Sequence, residues 1–146
     1  MNTDNNTNNT NNTGHTNPFF APYGTPHDTV PFDRITVADF EEAFMEGIRR
    51  DNEYMQRMTS NPEAPTFENT IINPFDDNGY YDLLDDVSTV FFNLLSAETN
   101  DEMDALAQKM SPILTQHAND MSLNPEMFKR VKSVYEQYRD HEPGED

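Results

Sequence analysis

From Thr36 onward, apolar residues recur at steps of three and four, the spacing of helices that bury one face. The first stripe is Val37, Phe40, Phe44, Ile48, Met55 and Met58. Thr36 followed by Asp39 marks its start, since the hydroxyl and the carboxylate satisfy free amides of a first turn. Asn61-Pro62 and Ala64-Pro65 end it near Ser60. Thr66 then caps a short helix through Ile72, which Pro74 interrupts. A third helix is predicted after Asp77-Asn78-Gly79, with Tyr80, Leu84, Val87, Phe91 and Leu94 along its stripe. Thr99 and Glu102 form a capping box that opens a fourth, whose face reads Met103, Leu106, Met110, Leu114, His117 and Met121. Pro112 lies inside that stretch and predicts a kink or a local break. Asn124-Pro125 starts a fifth helix, with Phe128, Val131, Tyr135 and Tyr138 on one side. No stretch alternates with period two, so the expected fold is all-α: about five antiparallel-packed helices.

Upstream of Thr36 the pattern changes. Residues 1–17 form an Asn/Thr-rich tail in which Asn-Asn-Thr repeats three times between Asn5 and Thr13. It has almost nothing apolar to bury and is expected to be disordered. Residues 18–35 form an extended strap, because Pro18, Pro22, Pro26 and Pro31 bias their predecessors away from helix. Phe19, Phe20, Tyr23, Phe32 and Ile35 predict that the strap packs across something. The resulting division is tail 1–17, strap 18–35, helical domain 36–139 and acidic tail 140–146.

Composition limits what this domain does. Its 146 residues fit one domain. Leu, Ile, Val and Phe together make up about a fifth of them, close to the level at which chains stop folding alone. Nine Lys+Arg face 27 Asp+Glu, a formal charge of −18. That field repels polyanions, which argues against nucleic acid and anionic membranes as partners. No run of about 18 apolar residues spans a bilayer. The start lacks the charged and apolar regions of a secretory signal. Without cysteine there are no disulfides, thiolate zinc sites or cysteine nucleophiles. A cytoplasmic location is expected.

Candidate chemistry is sparse. The four histidines, His15, His27, His117 and His141, never stand four apart, and none begins a His-Glu-x-x-His. His117 lies on the apolar side of its helix, where a hydrogen-bonded core histidine is the expectation. The five glycines do not cluster into a phosphate-cradling loop, and no Gly-x-Ser-x-Gly elbow is present. Pro74 to Asp85 is arranged like a calcium loop. With Gly79 sixth, Asp76, Asn78, Asp82 and Asp85 take the third, fifth, ninth and twelfth positions. The first ligand is replaced by Pro74 and the last is Asp instead of Glu, so a helix-start turn is the better reading. Lys129, Arg130 and Lys132 are the one basic cluster, expected in water beside Glu126, Glu136 and Asp140.

Several segments together resemble one family. They are Asn17-Pro18-Phe19-Phe20, Pro31-Phe32-Asp33-Arg34-Ile35 and Phe67-Glu68-Asn69-Thr70-Ile71. Val90-Phe91-Phe92-Asn93-Leu94, Thr99-Asn100-Asp101-Glu102, the run from Pro112 through His117, Leu123-Asn124-Pro125 and Phe128-Lys129-Arg130-Val131-Lys132 follow in order. In this arrangement the chain resembles the thimet oligopeptidase and oligopeptidase A family, and within it the bacterial peptidyl-dipeptidases, which release dipeptides from peptide C-termini. The likeness covers about residues 17 to 139. One departure is Asn73-Pro74-Phe75-Asp76-Asp77-Asn78-Gly79, which is longer than the family pattern and contains a helix breaker.

The resemblance implies a large helical zinc enzyme with two halves facing across a peptide channel. It also implies that the metal site, a helix bearing His-Glu-x-x-His, lies downstream of this segment. The expectation is therefore an N-terminal scaffold and channel wall. This chain itself is expected to have no catalytic, cofactor-binding or metal-binding residue and no cofactor of its own, zinc belonging to the intact family. Its expected partners are the catalytic remainder of the peptidase or an equivalent protein surface, and an oligopeptide substrate in the intact enzyme. The alternative is a free-standing acidic helical interaction module, binding through the Phe19 to Phe32 strap.

Overall fold

A computed structural model describes residues 14–72, 75, 78–98 and 100–139. Among them there is no strand, and four α-helices carry the fold: α1 (Val37–Thr59), α2 (Leu83–Ala97), α3 (Asp101–Ser122) and α4 (Pro125–Arg139). A single π turn, Glu68–Ile72, is the fifth helical element, and short 3₁₀ turns occupy Pro18–Phe20, Pro26–Asp28, Phe32–Arg34 and Tyr80–Asp82.

α1 begins as its sequence predicts. Asp39 N–H donates to Thr36 Oγ1 at 3.2 Å, and Thr36 N–H donates to Asp39 Oδ2 at 2.7 Å, a reciprocal cap. Its stripe packs on α2, with the Phe91 ring edge-on to both Phe40 and Phe44 at 5.2 Å. Gly47 lies against Leu84, so residue numbers rise along α1 as they fall along α2: the two run antiparallel. α3 then turns back beside α1, where Lys109 meets Glu41 and His117 meets Asp51. The core is Phe19, Phe40, Ala43, Phe44, Leu83, Val87, Phe91, Met103, Leu106 and Met110. Burying aromatic rings edge to face adds directional packing to the hydrophobic gain of about 25 cal/mol per Å².

The structure corrects several local readings. The strap is a chain of 3₁₀ turns, and it seats one ring in the core, Phe19, while Phe20 and Phe32 remain exposed. Within residues 14–17, His15 and Asn17 already bond to α1. Asn17 accepts from Phe19 N–H and donates to the Asp39 carbonyl and to Glu42 Oε2, each at 3.0 Å. The Asn-Asn-Thr repeats of residues 1–13 and the acidic end of residues 140–146 lie outside the described residues. The Thr66 cap is present, Asn69 N–H donating to Thr66 Oγ1 at 3.1 Å, but the segment winds into the π turn. α3 is capped by Asn100, whose Oδ1 accepts from Met103 N–H at 2.9 Å; Thr99, and with it the predicted Thr99–Glu102 box, lies outside the described residues. Pro112 does not break α3. It sits on the solvent side, and Gln108, whose carbonyl loses its helical donor to the proline, is likewise exposed.

Candidate functional site

Among the described residues, the structure separates more of those the sequence singled out than it gathers. His15 reaches back to α1, its Nε2 lying 2.9 Å from both carboxylate oxygens of Asp39. Burial by itself raises the Asp39 pKa, and the hydrogen bonds from Thr36 and His15 outweigh it, so the net shift is downward. His27 is exposed in a 3₁₀ turn with φ 57°. His117 is buried, its Nε2 2.8 Å from Asp51 Oδ2, the core hydrogen bond that its place on the apolar face predicts. Desolvation pushes the Asp51 carboxyl up against the opposing pull of His117. His141 lies outside the described residues.

No three of the described His, Asp or Glu side chains come together in a group that could hold a metal. His15 and His117 are each taken up by a carboxylate, on the N-terminal segment and on α3 respectively. The donor set of the described residues therefore does not fit a zinc ion. In the calcium-like segment Pro74, Asp76 and Asp77 are outside the described residues. Asn78 and Gly79 take positive φ, 49° and 80°, and lead directly into the Tyr80–Asp82 turn and α2.

The basic cluster comes apart. Lys129 pairs with Glu126 at 2.7 Å and Lys132 with Glu136 at 3.8 Å, both in water. Arg130 turns inward instead and is buried. Its guanidinium donates to the Asn61 and Glu63 carbonyls at 3.3 Å and to Asn69 Oδ1 at 3.4 Å, while its Nε has no partner. It ties α4 to the proline-rich segment after α1. The buried side of α4 is thus Arg130 and Val134, with Met127 beside them. The apolar row Phe128, Val131, Tyr135 and Tyr138 does share one side, but that side faces out, exposed by 65, 38, 63 and 55%. Phe67, next to the π turn, adds a ring 5.2 Å from Tyr138, and Ile71 and Ile72 extend the exposed apolar surface.

A cation–aromatic cluster escaped the sequence reading. Arg50 lies 4.2 Å over the Tyr80 ring and donates to the Tyr80 carbonyl at 3.0 Å. Arg57 lies 3.9 Å over Phe75 and donates to Tyr81 Oη at 2.7 Å. Arg49 and Arg50 hold Glu46 down to about 2, the Arg49 hydrogen bond contributing most. The Glu46–Arg50 spacing of four was a visible signal, whereas the tyrosines thirty residues downstream were not. This cluster fixes the start of α2 on α1. Glu46, Arg49 and Arg50 of this cluster also line a cleft of about 570 Å³, beside Phe20, Glu42 and Met45.

Two clefts remain. One of about 560 Å³ lies between the strap and the start of α1, lined by His15, Pro18, Tyr23, Asp33, Arg34 and Thr36 among others. One of about 610 Å³ is lined by Ile35, Val37, Phe40, Leu94, Glu98 and Met103 among others. No described helix is long and apolar enough to cross a membrane.

No protein-family model matches the chain. Among curated proteins it is 37% identical over 124 residues to a dipeptidyl carboxypeptidase of Escherichia coli (strain K12), an alignment covering 82% of this chain and 17% of that protein. It is 35% identical over 122 residues to a dipeptidyl carboxypeptidase of Salmonella typhimurium, covering 84% of this chain and 18% of that protein. The chain therefore spans less than a fifth of the length of these relatives. Identity at that level over more than four-fifths of its length means that the chain belongs to the dipeptidyl carboxypeptidase family.

Proposed function

We propose that this chain is the N-terminal helical segment of a zinc peptidyl-dipeptidase, a cytoplasmic metallopeptidase that removes dipeptides from peptide C-termini. It supplies scaffold and part of the wall of the substrate channel, and it does not cleave peptides alone. The observation behind this reading is the identity to two dipeptidyl carboxypeptidases over more than four-fifths of the chain. The inactivity rests on donor chemistry: zinc hydrolysis needs three protein ligands converging on one point, and the described histidines sit apart, two of them already paired with carboxylates. The zinc, and the base that activates its water, are assigned to the catalytic remainder.

The test is an exchange. The 124 residues of the Escherichia coli enzyme that align here are replaced by the matching segment of this chain, and release of a dipeptide from a blocked tripeptide is measured. The hybrid is expected to retain turnover within about tenfold of the parent, and the 146-residue chain with added zinc to show none. A folded but inactive hybrid, or dipeptide release by the chain alone, overturns the proposal. The first of these results would favour the free-standing acidic interaction module.

A further inference from the structure

We infer that Asn78 is a site of spontaneous covalent modification: it loses its side-chain amide through a cyclic imide with the Gly79 nitrogen, leaving mainly isoaspartate in the main chain. The sequence contains one Asn-Gly pair, and the fold holds it in a turn suited to ring closure. The φ of Asn78, 49°, and the φ and ψ of Gly79, 80° and 13°, match the central residues of a type I′ turn, which Asn-Gly favours. Both residues are exposed. The five-membered imide closes when ψ of Asn78 comes to about −120°, which with a positive φ is the first central position of a type II′ turn. Asn78 is the one described asparagine with positive φ, so half of that geometry is already in place. Passage from I′ to II′ needs only the peptide plane between 78 and 79 to flip, a swing that glycine makes without steric penalty. The Gly79 carbonyl, which accepts from Asp82 N–H at 3.1 Å, lies outside that plane, so the flip leaves this bond in place.

Water is the one co-reactant. The Gly79 nitrogen gives its proton to solvent and attacks Asn78 Cγ. The N–Cγ bond forms, the Cγ–Nδ2 bond breaks, and ammonia leaves with a proton taken from solvent. Water then opens one of the two carbonyl–nitrogen bonds of the imide. Attack at the main-chain carbonyl is favoured, because the amide nitrogen on the adjacent Cα withdraws electrons from it. That route leaves the chain running through Cγ as isoaspartate, and attack at Cγ leaves aspartate. The other asparagines lack this arrangement. Asn17, Asn61, Asn73 and Asn124 precede proline, whose nitrogen has no proton to lose. Asn52, Asn93 and Asn119 lie inside α1, α2 and α3, where helical ψ holds the next nitrogen away from Cγ. Asn69 Nδ2 donates to the Ala64 carbonyl at 3.0 Å, and Asn100 Oδ1 accepts from Met103 N–H at 2.9 Å. Those of residues 1–13 precede Asn or Thr. The product adds one main-chain carbon and one carboxylate two residues before Tyr80, whose carbonyl and ring Arg50 holds at 3.0 and 4.2 Å. The modification therefore bears on the contact that fixes the start of α2.

Ageing the folded 146-residue chain in neutral buffer tests this. Amide loss is mapped by proteolysis and mass spectrometry, and isoaspartate is read by enzymatic methylation of its free α-carboxylate. Asn78 is expected to react at least tenfold faster than any other asparagine, with isoaspartate exceeding aspartate. Gly79→Ala, which strains φ 80° and places a side chain beside the attacking nitrogen, is expected to slow the loss at least tenfold. Asn78→Gln, which would have to close a six-membered ring, is expected to remove most of the ammonia that the chain releases, and it serves where Gly79→Ala does not fold. Faster loss at another asparagine, aspartate without isoaspartate, an unslowed Gly79→Ala or undiminished ammonia from Asn78→Gln overturns the inference. So does an Asn78 that persists in the folded chain and is lost in urea, since the turn would then protect it. The proposed function rests on other residues and stands under each of these results.

Discussion

Gly47 decides how closely α1 and α2 approach, and Gly47→Ala sets two effects of opposite sign against each other. Alanine is favoured over glycine inside a helix by about 1 kcal/mol, so propensity alone predicts a more stable protein. A Cβ at this position, however, would stand 2.9 Å from both Cα and Cβ of Leu84 and 3.0 Å from its nitrogen. Ordinary carbon contacts lie at about 3.5–4.0 Å, leaving a shortfall of about 0.6–1.1 Å. The obstructing atoms are mostly backbone, so no side chain rotates away, and relief requires the helices to separate. Separation would loosen the Phe40, Phe44 and Phe91 contacts at 5.2 Å. Overpacking of this kind costs about 1–3 kcal/mol, and a backbone clash belongs in the upper half of that range. The net expectation is a loss of about 1–2 kcal/mol, or about 4–8 °C in Tm for a domain of this size. Thermal and urea unfolding followed by circular dichroism reads it directly. Gly14→Ala, with nothing within 4 Å of the added carbon, is the control and is expected to stay within about 0.5 kcal/mol. A Gly47→Ala protein that melts higher than the parent would refute the close approach and leave propensity as the governing term.

Phe91→Ala, at the centre of the aromatic core, is expected to cost about 3–5 kcal/mol, whereas Phe128→Ser in the isolated chain is expected to change stability by less than about 0.5 kcal/mol; matching urea midpoint shifts would disprove the assignment of the two faces. Arg130→Ala strips donors from the Asn61 and Glu63 carbonyls and is expected to cost about 2–3 kcal/mol, read in the same unfolding assay. Asp39 has a lowered pKa in the folded chain, so its contribution is present above the unfolded value of about 3.9 and is lost as pH falls through the folded value. The parent is therefore expected to exceed Asp39→Asn in urea midpoint at pH 6 and to converge with it as the pH falls through the lowered value; a gap that stays constant on acidification would show that the carboxylate's charge is not the source.

What the sequence determined is the set of helices and their lineage. Period and stop signals located α1, α2, α3 and α4, because caps, prolines and stripe spacing act within a few residues of one another. The Thr36–Asp39 cap and the His117 hydrogen bond were legible for the same reason: a hydroxyl, a carboxylate or an imidazole at such a position has few ways to be satisfied. The outward orientation of the α4 row was not legible. A helix with Phe, Val and Tyr on one side and Arg and Val on another has two candidate buried faces, and the choice depends on which donors and acceptors the rest of the bundle offers. Here the carbonyls left free after α1 drew Arg130 inward, and the aromatic row turned to the surface. The tyrosine–arginine cluster and the Gly47–Leu84 contact are likewise tertiary, formed between residues 24 to 37 positions apart. Local chemistry specifies where a helix starts and stops, but only packing against the other helices decides which of its sides is the inside.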